Sequence, residues 1–329
     1  MIYFVKSGIA AALLVSVAAA GSSAAAAADK VTFQLDWTPG GISAAWYLGL
    51  EKGCFSDEGI DLTINRGYGA ADAVTKIGTG VADFGITDLS TIIASIGNSN
   101  VPVIAIMPVV SDSPAGIAVM DSSPIRTLKD LEGHSIASSN GNAAMQTLPL
   151  GMELAGADIS KVKIITSDPS TLNGLLLQGQ ADSLASYVTS VVGIQAVASK
   201  AGKKVRSISY GEELGIYNAS VFTSTKLLAD KPDLVARFVA ASKCTYDLAL
   251  ANPDGAIDAM VARVEGMQKS SQVEIVPFSF GFAFNSATFK KNGYAWDMAR
   301  VQHNIDVVTR MQPLAQKPTA EKVAYVVKP

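Results

Sequence analysis

The sequence predicts an α/β protein of two lobes, each a parallel-rich sheet flanked by helices, with a ligand cleft between the lobes. Three observations carry this. Short apolar β-runs alternate with amphipathic helical stretches, the pattern of parallel strands joined by helical crossovers. The string G-x-A-D occurs at 80–83 and again at 179–182, each time after a strand and a helix and before another strand. Isolated β-runs at 103–107, 116–119 and 219–223 lie where a chain shared by two lobes must cross between them.

The first 28 residues read as an export signal rather than as structure. Lys6 supplies the positive start, residues 8–20 are apolar apart from Ser16, and a small-residue tract with Ala26 and Ala28 offers cleavage before Asp29. The apolar run is shorter than the ~20 residues that span a bilayer. The tract holds no cysteine for lipid attachment, so a free periplasmic protein is expected.

Residues 31–35 form the first strand, ended by the turn-rich 36–41. Ile42, Ala45, Trp46 and Gly49 then fall on one helical face, and Gly53 stops that helix. A second strand, 61–64, leads through Gly67-Tyr68-Gly69 into a helix with Ala73, Val74 and Ile77 on one face, and 84–86 is the next strand. The second copy repeats the series: a strand at 135–137 with the loop 138–142, a strand at 162–165, a helix bearing Leu172, Leu175 and Leu176, and a strand at 183–187. The expected divisions are 29–116 for the first part of lobe one, 117–218 for lobe two, and 219–329 for the return strand and C-terminal helices. Those helices are 232–250, with Leu234, Phe238, Ala241 and Thr245 on one face, one after 252–254, and 294–311.

Composition narrows the function. The 329 residues are 49% hydrophobic and 17% charged, with 26 basic and 29 acidic residues and a net charge of -3. Such a chain can pack a core, and it has no basic run to track nucleic acid. His134 and His303 lie apart from any ligand at metal spacing and read as structural or surface residues, so no metal, cofactor or catalytic group is expected. Gly67-Tyr68-Gly69-Ala70-Ala71-Asp72 approximates a dinucleotide fingerprint, but Asp72 puts a negative charge where a pyrophosphate would dock. Cys54 and Cys244 read as two independent buried thiols, with a disulfide as the alternative.

Ligands of such sheets bind beyond the carboxyl ends of the strands. That places Trp37 and Thr38, after strand one, at the cleft, with Trp37 as a stacking surface. Gly67, Tyr68 and Gly69 let backbone N–H groups approach a polar ligand. Thr87 and Asp88 face Tyr187 and Thr189 by pseudo-symmetry, Asp88 with a capping role as its alternative. Ser138, Ser139, Asn140 and Asn142 open a helix whose free N–H donors suit a carbonyl or ring nitrogen. Tyr217 and Asn218 precede the second crossing. Arg66 reads as a solvated loop charge. Few charges remain for the cleft, which favours a neutral or weakly charged planar ligand over a strong anion.

Several strings carry a family resemblance: Asp36-Trp37-Thr38-Pro39, Glu51-Lys52-Gly53-Cys54-Phe55, Gly80-Val81-Ala82-Asp83-Phe84-Gly85, Leu128-Lys129-Asp130-Leu131-Glu132-Gly133 and 232–238. Together they resemble the solute-binding proteins of ABC importers that take thiamine precursors, riboflavin, taurine, nitrate and sulfonates, and D-W-x-P is most similar to the thiamine-precursor binders. The resemblance implies a two-lobed type II periplasmic fold, a monomer that closes on a small planar heteroaromatic solute, and an inner-membrane permease with its ATPase as partners. Sulfonate, taurine, nitrate or aromatic-acid binding is the alternative within that group. A secreted pyrimidine-modifying enzyme and a sensory binding protein are the alternatives outside it.

Overall fold

A computed structural model of the protein describes residues 1–4, 27–140 and 142–327. The expected export signal falls mainly on 5–26, outside the described residues. The chain begins with β1 (Asp29–Gln34), α1 (Ala44–Lys52), β2 (Ile60–Asn65), α2 (Ala70–Gly78), β3 (Phe84–Asp88), α3 (Leu89–Ser99) and β4 (Val103–Pro108). It crosses to β5 (Ala115–Met120) and continues through β6 (Ser135–Ser138), α4 (Ala143–Leu154), β7 (Lys163–Thr166), α5 (Leu172–Leu177), β8 (Ser183–Tyr187), α6 (Val188–Lys200) and β9 (Val205–Ser209). It returns as β10 (Ala219–Ser224), followed by α7 (Thr225–Asp230), α8 (Pro232–Ala251), α9 (Pro253–Val261), α10 (Ile275–Asn285), α11 (Ala287–Asn292), α12 (Met298–Met311) and α13 (Ala320–Val323).

Two five-stranded sheets result, ordered β2-β1-β3-β10-β4 and β7-β6-β8-β5-β9. In each, three strands pair in parallel and the strand that arrives from the other lobe pairs antiparallel with both neighbours. The cause is directional. A crossing chain enters at the cleft end of the sheet, where its neighbours finish, so it must run the opposite way.

The repeated G-x-A-D string does the same work twice. Gly80 and Gly179 adopt φ of 75° and 73°, a left-handed turn that favours glycine. The aspartate three residues on then accepts a hydrogen bond from the neighbouring strand: Asp83 Oδ2 from Thr32 N and Asp182 Oδ2 from Ser135 N, both at 2.8 Å. These bonds fix how the third parallel strand enters each sheet.

Lobe one is centred on aromatic side chains. Phe84 stacks on Phe238 with ring centroids 3.8 Å apart, and Trp46 lies 4.0 Å from Phe33, with Phe55 and Tyr246 completing the cluster. Helix α8 supplies Leu234, Phe238, Ala241 and Thr245 from the face the spacing predicts, all buried. Lobe two has smaller aliphatic clusters around Leu131, Ile136 and Leu148 and around Leu176 and Leu184.

The cysteines do not stand apart as independent thiols. Cys54, just after α1, is bridged to Cys244 on α8, with Cα atoms 5.9 Å apart across 190 residues of sequence. The α1–α8 packing brings them together, a tertiary contact that neither local sequence encodes. Cross-linking so distant a pair restricts the unfolded chain, and its loss should cost about 2–5 kcal/mol. Cys54→Ser with Cys244→Ser should therefore melt well below the oxidised protein, and dithiothreitol should lower Tm only in the unsubstituted chain. Equal Tm values would show that the bridge adds no stability.

Candidate ligand-binding cleft

On lobe one the cleft is built where β1 and β3 end side by side, in register through Phe33–Phe84 and Gln34–Gly85. The loop after β1 is locked against the turn after β2. Gly67 N–H donates to Trp37 O and Gly69 N–H to Asp36 O, each at 2.8 Å. Gln34 Nε2 donates to Leu35 O and Arg66 O, also at 2.8 Å. A Cβ on Gly67 would stand 2.1 Å from the Asp36 carbonyl carbon, so only glycine allows this contact.

This loop and the end of β3 set two carboxylates close together. Burial, with the neighbouring Asp88 charge adding to it, pushes the Asp36 carboxyl up to about 7. Asp88 is buried and its carboxyl is also raised, by burial. It caps α3, accepting from Thr91 N and Thr91 Oγ1 at 2.8 Å each. Between them in sequence, Thr87 is fully buried and its hydroxyl has no hydrogen-bond partner.

Lobe two and the hinge form the opposite wall. The Tyr187 hydroxyl, at the end of β8, accepts from Asn218 Nδ2 at 3.2 Å. Burial, and then the Asp88 charge, raise the Tyr187 hydroxyl far above the usual phenol range, so it stays a neutral donor. Asn142 caps α4, accepting from Met145 N at 3.0 Å and donating to Ala185 O at 3.3 Å. Tyr217 is held from behind: its N–H donates to Asn304 Oδ1 at 2.7 Å and its hydroxyl accepts from Asp297 N at 3.0 Å.

The lobes are bridged on both sides of the cleft, α10 packing on α6 and α12 on α4. One small cavity of about 20 Å³ is lined by Asp88, Ser113, Thr147, Tyr187, Tyr217 and Asn218 among others. A larger hollow of about 350 Å³ lies along the α4–α12 seam.

Of the expected site residues, the structure brings Asp88, Tyr187, Tyr217 and Asn218 together around the inner cavity, with Thr87 behind Asp88. Asp88 fills both roles considered for it, helix cap and cavity wall. Ser138 is buried, its hydroxyl donating to Ser139 O at 3.3 Å, while Asn140 is exposed and Thr189 half-buried on α6. Trp37 is 58% and Tyr68 68% exposed, and neither lines the cavity, nor does the exposed Thr38. Arg66 sits over the Tyr68 ring, 4.6 Å from its centroid, with Lys76 also near it. The N–H groups of Gly67 and Gly69 are spent on the β1 loop rather than held open for a ligand. His134 lies 3.7 Å from Asp182, and His303 Nε2 is 2.9 Å from Leu214 O. Among the described residues no group of three His, Cys, Asp or Glu converges as a metal site.

Asp36 is the residue that sequence reasoning passed over. An acid ending an apolar strand, with no basic residue within reach in the sequence, was the available signal. Asp88, already expected at the cleft, is the one charged residue in the wall of the inner cavity.

The family profile described as NMT1/THI5 like matches residues 42–256, and the chain belongs to that family. A protein of Brucella abortus named as a binding protein is 22% identical over 211 residues, 63% of each chain. The present chain thus spans less than two thirds of that relative. The formylaminopyrimidine-binding protein of Halalkalibacterium halodurans is 20% identical over 235 residues, 71% of this chain and 70% of that one. Among solved structures, the periplasmic aliphatic sulphonate binding protein SsuA of Escherichia coli superposes with a TM-score of 0.69 at 13% identity, covering 91% of this chain and 92% of that one. The desulfurization enzyme DSZB superposes with a TM-score of 0.61 at 15% identity, over 91% and 96%. These likenesses establish the periplasmic-binding-protein fold. They leave binding and catalysis to be distinguished by the site.

Asp36 gives the fold a pH dependence of known sign. Its folded carboxyl holds a proton that the unfolded chain releases near the ordinary value of 3.8. The stabilisation this provides is full below that value and is lost as pH rises through about 7. Asp36→Asn removes the loss, so at pH 8 it should be more stable than the unsubstituted protein by about 1–3 kcal/mol, with little difference at pH 4. Parallel Tm–pH curves for the two proteins would refute the assignment.

Proposed function

We propose that the protein captures a small planar nitrogen heterocycle carrying amino donors, of the aminopyrimidine class, between its lobes and delivers it to an importer. The carrying observation is the buried Asp88 carboxylate in the wall of the inner cavity, with Asp36 near enough to feel its charge and no lysine or arginine in that wall. Exocyclic amino groups and protonated ring nitrogens meet such acceptors with charge-assisted hydrogen bonds, each contributing about 1.5–3 kcal/mol. A sulfonate or nitrate needs donors and positive charge, and the floor offers the reverse. The formylaminopyrimidine-binding relative supports the same choice.

Capture at micromolar to nanomolar Kd requires about -8 to -12 kcal/mol. Two or three such bonds supply about 3–9 kcal/mol, and ring burial against Tyr187 in a cleft that excludes water on closure must supply the rest. Closure follows if the solute binds the closed arrangement better than the open one. Export through the first 28 residues, residence in the periplasm, and delivery to an inner-membrane permease with a cytoplasmic ATPase complete the reading. The protein acts by binding, and the ring leaves it chemically unchanged.

A thermal-shift panel separates the readings. At 100 times Kd a ligand stabilises the folded state by about 2.7 kcal/mol. 4-Amino-5-hydroxymethyl-2-methylpyrimidine should raise Tm by several degrees, taurine and nitrate should not, and Asp36→Asn should weaken pyrimidine binding at least tenfold. A shift with taurine alone would overturn the pyrimidine assignment, and conversion of the ring by pure protein would overturn the binding role.

A further inference from the structure

The inner cavity of about 20 Å³ has room for one water as the lobes stand, and a ring enters it only as they part. Sites for small organic ligands begin near ~300 Å³. The hollow of about 350 Å³ on the α4–α12 seam has that room, and it shares two wall residues with the inner cavity: Gln146 of α4 and Met311 at the end of α12. These two side chains, one from each side of the seam, stand in the walls of both spaces.

Resting on the reading above, we infer that a bound solute places its donor ring at the inner cavity and its substituent in the seam hollow, with Met311 and Gln146 setting how long a solute the cleft accepts. Both side chains suit a movable partition. Methionine is unbranched and takes many shapes at little cost, and Gln146 is exposed and makes no hydrogen bond across the seam. Beyond them the wall sets apolar Pro149, Leu150 and Ile159 beside the acids Glu153 and Asp158, and Arg310 at the rim is ion-paired to Glu153. That pair is exposed on both sides, so parting it to admit a substituent costs little. The seam therefore offers both apolar contact and carboxylates to an extension of the ring, a cationic one included, and its length limit is a property of two side chains rather than of the fold.

The test compares two probes that share a 4-aminopyrimidine ring: 4-amino-5-hydroxymethyl-2-methylpyrimidine, and thiamine, which carries the larger thiazolium substituent. Calorimetry gives the ratio of their affinities for the full protein. Met311→Trp should lower the thiamine-to-pyrimidine ratio at least tenfold, and Met311→Ala should raise it about threefold or more. A merely structural role would move both probes together in both variants, and equal factors would overturn the inference while leaving the pyrimidine reading intact. If the unsubstituted protein takes only the smaller probe, Met311→Ala must admit thiamine, and its failure to do so is equally decisive. Failure of both probes to bind the unsubstituted protein overturns the pyrimidine reading and this inference with it.

Discussion

The cleft depends on a backbone contact at Gly67. The β1 loop carries Asp36, and it can press against the β2–α2 turn only because no side chain stands between them. Two backbone hydrogen bonds, from Gly67 to Trp37 and from Gly69 to Asp36, then hold the loop on both sides of the aspartate. Without that clamp a carboxylate would turn outward to water, since burial raises the free energy of its charged form. The clamp thus keeps an acid in a place where solvation alone would not leave it. Loops of this kind, fixed by a rigid scaffold at the ends of strands, are where binding residues concentrate.

Much of the fold was legible because it repeats. The two G-x-A-D strings mark equivalent turns, and the bonds from Asp83 and Asp182 to the neighbouring strands give the repetition a structural reason. Strand and helix periods were strong enough to place α8 and its buried face almost to the residue. The antiparallel direction of β5 and β10 follows from the same plan once the chain is known to cross between lobes. Pseudo-symmetry also placed Asp88 and Tyr187 on facing strand ends, and both line the same cavity.

What sequence could not show were relations between distant segments. The Cys54–Cys244 bridge depends on how α1 lies against α8, which no local pattern states. Trp37 was the strongest local candidate because a tryptophan on a strand-end loop is a usual stacking surface, yet the clamp turns its backbone toward Gly67 and leaves the ring 58% exposed. Its neighbour Asp36 drew no notice, since the significance of its charge comes from Asp88, more than fifty positions along the chain. Composition records how many acids there are, and packing decides which of them meet.

The two aspartates are not equivalent, and the difference defines what the floor offers a ligand. Asp88 receives two hydrogen bonds from Thr91 at the start of α3, where the helix end also favours negative charge. Asp36 receives no such pair of side-chain hydrogen bonds, and it is the one whose carboxyl is pushed up to about 7 by burial and by Asp88. Like charges held close titrate together, so both carboxyls are raised and the proton retained up to about 7 belongs to the pair. The floor then presents one fixed acceptor and one group that accepts or donates according to its proton. A neutral aminopyrimidine, with donor and acceptor edges side by side, matches that pair without any net transfer of charge. A protonated ring matches it by releasing the proton from the pair.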